Sequence, residues 1–150
     1  MLYHLQTSLG WIGISITNQK VVRLEFLDEP PRQQVKPENY ASVVSEQLQS
    51  YFQGNLINFS LQIELKGTNF QHQVWTECSR IPYGKVVTYS DIARNIGRSG
   101  SARAVGNAVG ANPLPVVIPC HRVVAKNGLG GFSGGLWRKE LLHRLEDIDI

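Results

Sequence analysis

Residues 88–110 read TYSDIARNIGRSGSARAVGNAVG, and the architecture of the chain turns on this stretch. Thr88, with Asp91 three residues on, is a capping signal. Ile92, Ala93 and Ile96 then place an apolar stripe on a short helix. Gly97 ends that helix, and Arg98-Ser99-Gly100-Ser101 is a tight polar connection. Ala102, Val105, Ala108 and Val109 form a second stripe, stopped by Asn112-Pro113. Two short helices, a glycine-containing turn and an arginine on the second helix fit a helix-turn-helix. Many helical hairpins bind nothing, so the pattern alone assigns no ligand.

Upstream, Thr68 with Gln71 forms a capping box for a helix with Phe70, Val74 and Cys78 on one face, where Cys78 reads as a small core residue. Ile81-Pro82-Tyr83-Gly84 is a turn. The first half is different in kind. Ile12, Ile14 and Ile16, then Val22, Leu24 and Phe26, alternate around Asn18-Gln19, so Trp11–Leu27 is expected to be an antiparallel hairpin. Tyr40, Val44, Leu48 and Phe52 predict a helix ended by Gly54, and Phe59, Leu61, Ile63 and Leu65 predict a further strand. The expected fold class is α+β, with an N-terminal α/β scaffold lobe over residues 1–66 and a mostly helical lobe over residues 67–150.

Composition bounds the function. A chain of 150 residues, 42% hydrophobic and 18% charged, is a soluble globular protein with enough length for one domain or two small lobes. No apolar run approaches the ~18 residues of a membrane span, and the start lacks a secretory signal. Two cysteines outside any Cys-x-x-Cys pair point to a reducing compartment. The net charge of +3 is unevenly spread. Residues 1–66 carry five Lys and Arg against six Asp and Glu; residues 67–150 carry ten against six. Between 91 and 139, seven cations face Asp91 alone, a distribution expected for a polyanionic partner.

The chemistry-bearing segment follows the apolar run Leu114–Pro119. Cys120-His121-Arg122-Val123-Val124 puts a thiol beside an imidazole and a guanidinium, residue types able to favour thiolate. Read alone, the segment fits a buried small hydrophobe as well as a nucleophile. The other histidines form no ligand spacing with it, so no metal is expected. Gly128-Leu129-Gly130-Gly131-Phe132-Ser133-Gly134-Gly135 lets backbone amides approach a ligand but lacks the lysine of a phosphate-binding loop. Leu136, Leu141, Leu142 and Leu145 are expected to carry a last helix that delivers Glu146.

Taken in order, these features resemble the O6-alkylguanine-DNA alkyltransferases. Pro119-Cys120-His121-Arg122-Val123-Val124 is similar to the family's active-site signature. Ile81 to Tyr89 looks like the segment entering its helix-turn-helix, and Ala102-Arg103-Ala104-Val105-Gly106 looks like its recognition helix. Asn112-Pro113, Phe132-Ser133-Gly134-Gly135-Leu136 and Leu142 to Glu146 follow in the family's order. The resemblance covers roughly residues 70–146.

It implies a ribonuclease H-like first lobe, a winged-helix-like second lobe, and repair of O6-alkylguanine in double-stranded DNA by single-turnover transfer of the alkyl group to Cys120. O4-alkylthymine is a further candidate substrate. The recognition helix, with Ala102, Arg103 and Gly106, would enter the minor groove together with Thr88, and Arg103 would fill the gap left by a flipped nucleotide. His121 would act through a water as base, oriented by Glu146, while Tyr89 would protonate guanine N3 and Asn112 would brace the turn. The Val123 carbonyl and the Ser133 amide would hold the base. The implied protein needs no cofactor and acts as a monomer in the cytoplasm, or in the nucleus of a eukaryote, with cooperative binding along DNA left open.

Departures from the family pattern are Phe132 where a tyrosine is frequent, no extra arginine at Gly110-Ala111, and no cysteine before Cys78 for a structural zinc. A lesion sensor without chemistry would lack the cysteine at position 120. A Cys-His hydrolase or a winged-helix regulator would leave either the basic segment or the thiol without a role.

Overall fold

The computed structural model describes residues 1–149. The chain is α+β and divides into two compact units, Met1–Leu65 and Lys66–Ile150.

The first unit is a three-stranded antiparallel sheet, β1 (Leu2–Thr7), β2 (Gly10–Thr17) and β3 (Lys20–Leu27), in the order β1-β2-β3, with α1 (Tyr40–Phe52) packed on it. Asn18 and Gln19 both take positive φ, as a two-residue hairpin of matching twist requires. β1 is absent from the expectations above. Tyr3 and Leu5 are buried, but so is His4, whose Nδ1 accepts from Val35 N–H at 3.0 Å; with both faces covered, the two-residue alternation disappears. A register shift at Ser15/Ile16 pairs Ser15 with Arg23 and Ile16 with Val21. Val22 is the extra residue, so Val21 and Leu24 enter the core in place of the expected Val22, Leu24 and Phe26.

On α1 the buried set is Ala41, Val44, Ser45, Leu48 and Tyr51. A strict spacing of four drifts around a helix of 3.6 residues per turn, which leaves Tyr40 and Phe52 at the margins. The strand expected from Phe59 to Leu65 is reduced to a single parallel bridge, Val21 with Ile63. Side chains of α1 take backbone donors that a ladder would use: Gln47 Oε1 accepts from Ser60 N–H at 3.0 Å, and the Tyr40 hydroxyl accepts from Gln62 N–H.

In the second unit, α2 (Asn69–Ser79) starts at the reciprocal Thr68/Gln71 capping box and buries Val74, Trp75 and Cys78. The Trp75 indole donates to the Ala108 carbonyl at 2.9 Å, which ties α2 to α4 (Ala102–Gly110). α3 (Tyr89–Asn95) opens with a second capping box between Thr88 and Asp91. It closes on Gly97 at φ 75°, with Arg98 N–H reaching back to Ala93 O at 2.8 Å. Both ends are therefore set by the residues read from sequence. β4 (Val87–Thr88) pairs in parallel with β5 (Val123–Val124), which directly follows the short 3₁₀ turn Cys120–Arg122.

α5 (Leu136–Leu145) is the expected last helix and ends on Glu146, but its buried side chains are mostly polar. Arg138, Lys139, Leu142 and His143 are buried, whereas Leu136 and Trp137 are each 49% exposed. Of its four leucines only Leu142 is fully buried, and polar side chains share the inward face with it. Lys139, Leu142, His143 and Glu146 share one helical face, at i, i+3, i+4 and i+7. No helix among the described residues is long and apolar enough to cross a membrane.

Candidate active site

The apolar run before Cys120 is folded into a loop by one side chain. Asn112 Nδ2 donates to Ile118 O and its Oδ1 accepts from Leu114 N–H, both at 2.9 Å. Ile118 N–H closes onto Leu114 O at 2.8 Å, and Cys120 N–H onto Ile118 O at 2.7 Å. Within this loop Val116 is held at φ 75°, a conformation costly for a β-branched residue, which the surrounding bonds impose. The buried Cys120 lies at the loop's end. Burial pushes its thiol above the usual range, while a hydrogen bond from Asn112 and the charge of Lys139 pull it back down.

The guanidinium next to Cys120 in sequence does not serve the thiol. Arg122 Nε donates to Glu146 Oε1 at 2.8 Å, Nη2 to Oε2 at 3.0 Å, and Nη1 to Ile81 O at 2.7 Å. The cation that acts on the thiol is instead Lys139, on α5. It is fully buried and donates to Val123 O at 2.7 Å and Gly131 O at 2.8 Å. Burial lowers its pKa to about 8.

On the residue after Cys120, His121 Nε2 lies 2.7 Å from Glu146 Oε2, with both side chains fully buried. Desolvation holds the imidazole below its usual pKa, opposed by the bond to Glu146. A neutral ring donating from Nε2 to the carboxylate presents Nδ1 as its basic nitrogen. Glu146 also accepts from Gly84 N–H at 3.0 Å, so one carboxylate joins the 82–84 turn, the nucleophile's turn and the end of α5. His143 Nε2 binds the His121 carbonyl at 2.6 Å and buttresses the same turn.

A pocket of about 130 Å³ is lined by Tyr89, Gly106, Val109, Gly110, Cys120, Gly131, Phe132 and Ser133. It brings together four residues singled out from sequence: Tyr89 from α3, Gly106 from α4, Cys120 and Ser133. Val123 is not among the lining residues, and its carbonyl is held by Lys139. Thr88 caps α3. Ala102 is half-buried and Arg103 exposed, both on the first turn of α4.

Lys139, His143 and the Gly84 amide were not anticipated. Their signal is the polar residues at 139, 143 and 146 sharing a helical face with the buried Leu142. Among the described residues no three His, Cys, Asp or Glu are grouped to hold a metal ion.

A buried thiol opening on a pocket, followed in sequence by an imidazole–carboxylate pair, is an arrangement found in proteins that use a cysteine nucleophile. Residues 69–148 match the 6-O-methylguanine DNA methyltransferase, DNA binding domain. A methylated-DNA–protein-cysteine methyltransferase of Mycobacterium tuberculosis (strain ATCC 25618 / H37Rv) is 43% identical over 141 residues, 93% of this chain and 84% of that protein. The crystal structure of Mycobacterium tuberculosis OGT in complex with DNA matches with a TM-score of 0.86 at 36% identity, covering 97% of this chain and 91% of that one. The O6-methylguanine-DNA methyltransferase of the archaeon Pyrococcus kodakaraensis strain KOD1 matches with a TM-score of 0.75 at 29% identity, over 99% and 100% of the two chains. The chain belongs to the 6-O-methylguanine DNA methyltransferase family, and the resemblance drawn from its motifs holds.

Proposed function

We propose that this protein repairs alkylated DNA by moving the alkyl group of O6-alkylguanine onto Cys120, as a methylated-DNA–protein-cysteine methyltransferase that acts once. The observation that carries this reading is the pocket shared by Cys120, Tyr89 and Ser133, with the His121–Glu146 pair starting at the residue after the nucleophile. The match to OGT bound to DNA supports double-stranded DNA as the partner. In this reading residues 67–150 bind DNA and carry the chemistry, as a winged-helix-like lobe. Residues 1–66 are a ribonuclease H-like scaffold.

The thiol is held protonated by burial, so attack needs a base. His121 Nδ1 takes the proton through a water, and Glu146 stabilises the imidazolium formed. The thiolate attacks the alkyl carbon in line; the carbon–sulfur bond forms as the carbon–O6 bond breaks, and the electron pair passes to the guanine ring. Tyr89 gives its proton to N3 and the Ser133 amide faces O6, so the leaving group departs neutral. Asn112 holds the turn in register throughout.

A stacked guanine keeps its O6 substituent out of reach of a protein thiol, so the nucleotide is flipped, with Arg103 of α4 filling the space in the duplex. Thr88, Ala102 and Gly106 lie along the same contact. With no second nucleophile to cleave the thioether, one molecule repairs one base.

The test is stoichiometric. Incubated with duplex DNA containing O6-methylguanine, the protein should gain the mass of one methyl group, located on the peptide containing Cys120, and Cys120→Ala should gain none. Repeated turnover, or a label on Cys78, would overturn the mechanism.

A further inference from the structure

The glycine loop meets Tyr89 through its backbone. Gly131 N–H donates to the Tyr89 hydroxyl oxygen at 3.2 Å. Gly130, at φ 76°, is what permits the approach: a Cβ there would lie 2.7 Å from the Tyr89 hydroxyl and 3.1 Å from Ala125 N. The next carbonyl, Gly131 O, is gripped by Lys139 Nζ at 2.8 Å, and Lys139 also grips Val123 O in β5. The Gly131 amide is thus fixed to the segment that carries the nucleophile.

We propose that the backbone amide of Gly131 is a positioning group for Tyr89, holding its hydroxyl as an acceptor so that the hydroxyl proton points to the substrate. The inference rests on the reading of Tyr89 as proton donor to guanine N3. A phenol has one proton and two lone pairs. An N–H directed at one lone pair prevents the hydroxyl from donating toward the loop and leaves its proton to the pocket. When that proton passes to N3, as the sulfur–carbon bond forms and the carbon–O6 bond breaks, a phenolate remains. Its charge faces a donor already in place, so no reorganisation is needed at that moment. Water then reprotonates the phenolate, and the proton taken from Cys120 leaves His121. Gly131 lines the pocket, but in this scheme its amide bonds neither the guanine nor the sulfur and acts through Tyr89.

The test replaces Gly131 by glycolic acid, which exchanges the amide N–H for an ester oxygen and adds no bulk. Single-turnover rates are measured on duplex DNA carrying O6-methylguanine and on its 3-deaza analogue, which has C–H in place of N3. The ester variant should be slowed about tenfold on O6-methylguanine and unchanged on the 3-deaza substrate. Tyr89→Phe should show the same selectivity, and the combined variant should be no slower than Tyr89→Phe alone. Equal slowing on both substrates, or none on either, would overturn the role of Gly131. If Tyr89→Phe discriminates and the ester variant does not, only the Gly131 inference fails. If Tyr89→Phe does not discriminate, the donor reading of Tyr89 fails and takes this inference with it.

Discussion

Lys139 carries a charge with no exposed surface, held between two carbonyls and near enough for that charge to act on the Cys120 thiol. Two charge-assisted bonds of ~1.5–3 kcal/mol each offset part of the cost of burying the ammonium, and the same charge favours the thiolate on which the proposed transfer depends. Lys139→Met should therefore slow alkyl transfer at pH 7 by roughly 10- to 100-fold. Because burial brings the Lys139 pKa down to about 8, the native protein should lose rate as pH rises through that value. The Met variant has no proton to lose there and should show no such limb. A pH–rate profile on both proteins checks this, and an unchanged rate at pH 7 would separate Lys139 from the chemistry. Cys120, His121 and Glu146 were singled out in the sequence by the resemblance of their motifs to those of the family, since read alone the Cys-His-Arg segment fitted a buried hydrophobe equally well. Lys139 was not, because a lysine on a leucine-rich helix ordinarily lies in water.

At the scale of elements, α3 and α4 were readable because their signals are local. Caps, a glycine at the helix end and stripes of 3.6-residue period involve neighbours within one turn. The extended segment after α1 was not, because whether a strand pairs depends on what lies beside it. There, Gln47 and Tyr40 of α1 had already taken the donors at Ser60 and Gln62. The first turn of α4 presents Arg103 to solvent, with Val105, Ala108 and Val109 turned inward. An arginine that fills the space of a flipped nucleotide matters only when there is a duplex to fill. Arg103→Ala should thus slow repair in duplex DNA by more than tenfold and leave the reaction with free O6-benzylguanine within twofold. Single-turnover rates on the two substrates decide it, and equal losses would remove the intercalating role.

For the whole molecule, the buried histidines predict how stability responds to acid. Burial holds both His121 and His143 below their usual pKa, so the unfolded chain binds protons that the native protein refuses. Their contribution is fully present above about pH 6.5 and falls as pH drops below it toward the native values. Thermal midpoints measured from pH 7.5 to 5 should decline below pH 6.5, and a flat curve would contradict the burial argument. Breaking the pair with Glu146→Gln should cost about 3 kcal/mol at neutral pH, since it leaves Arg122 buried without its carboxylate. The modest +3 of the chain conceals a basic stretch that contains both α4 and Cys120, and that partition was visible from residue order alone. Helix ends, the hairpin turn and the family were likewise determined by the sequence, because each depends on neighbours along the chain or on residue type. The tertiary structure alone decided that Arg122 serves Glu146, that the charge acting on Cys120 is that of Lys139, and that Gly131 meets Tyr89. Arg122 and Glu146 lie 24 positions apart, and Gly131 and Tyr89 lie 42 apart. Burial turns ordinary surface charges into partners there, and no local pattern records which groups burial will bring together.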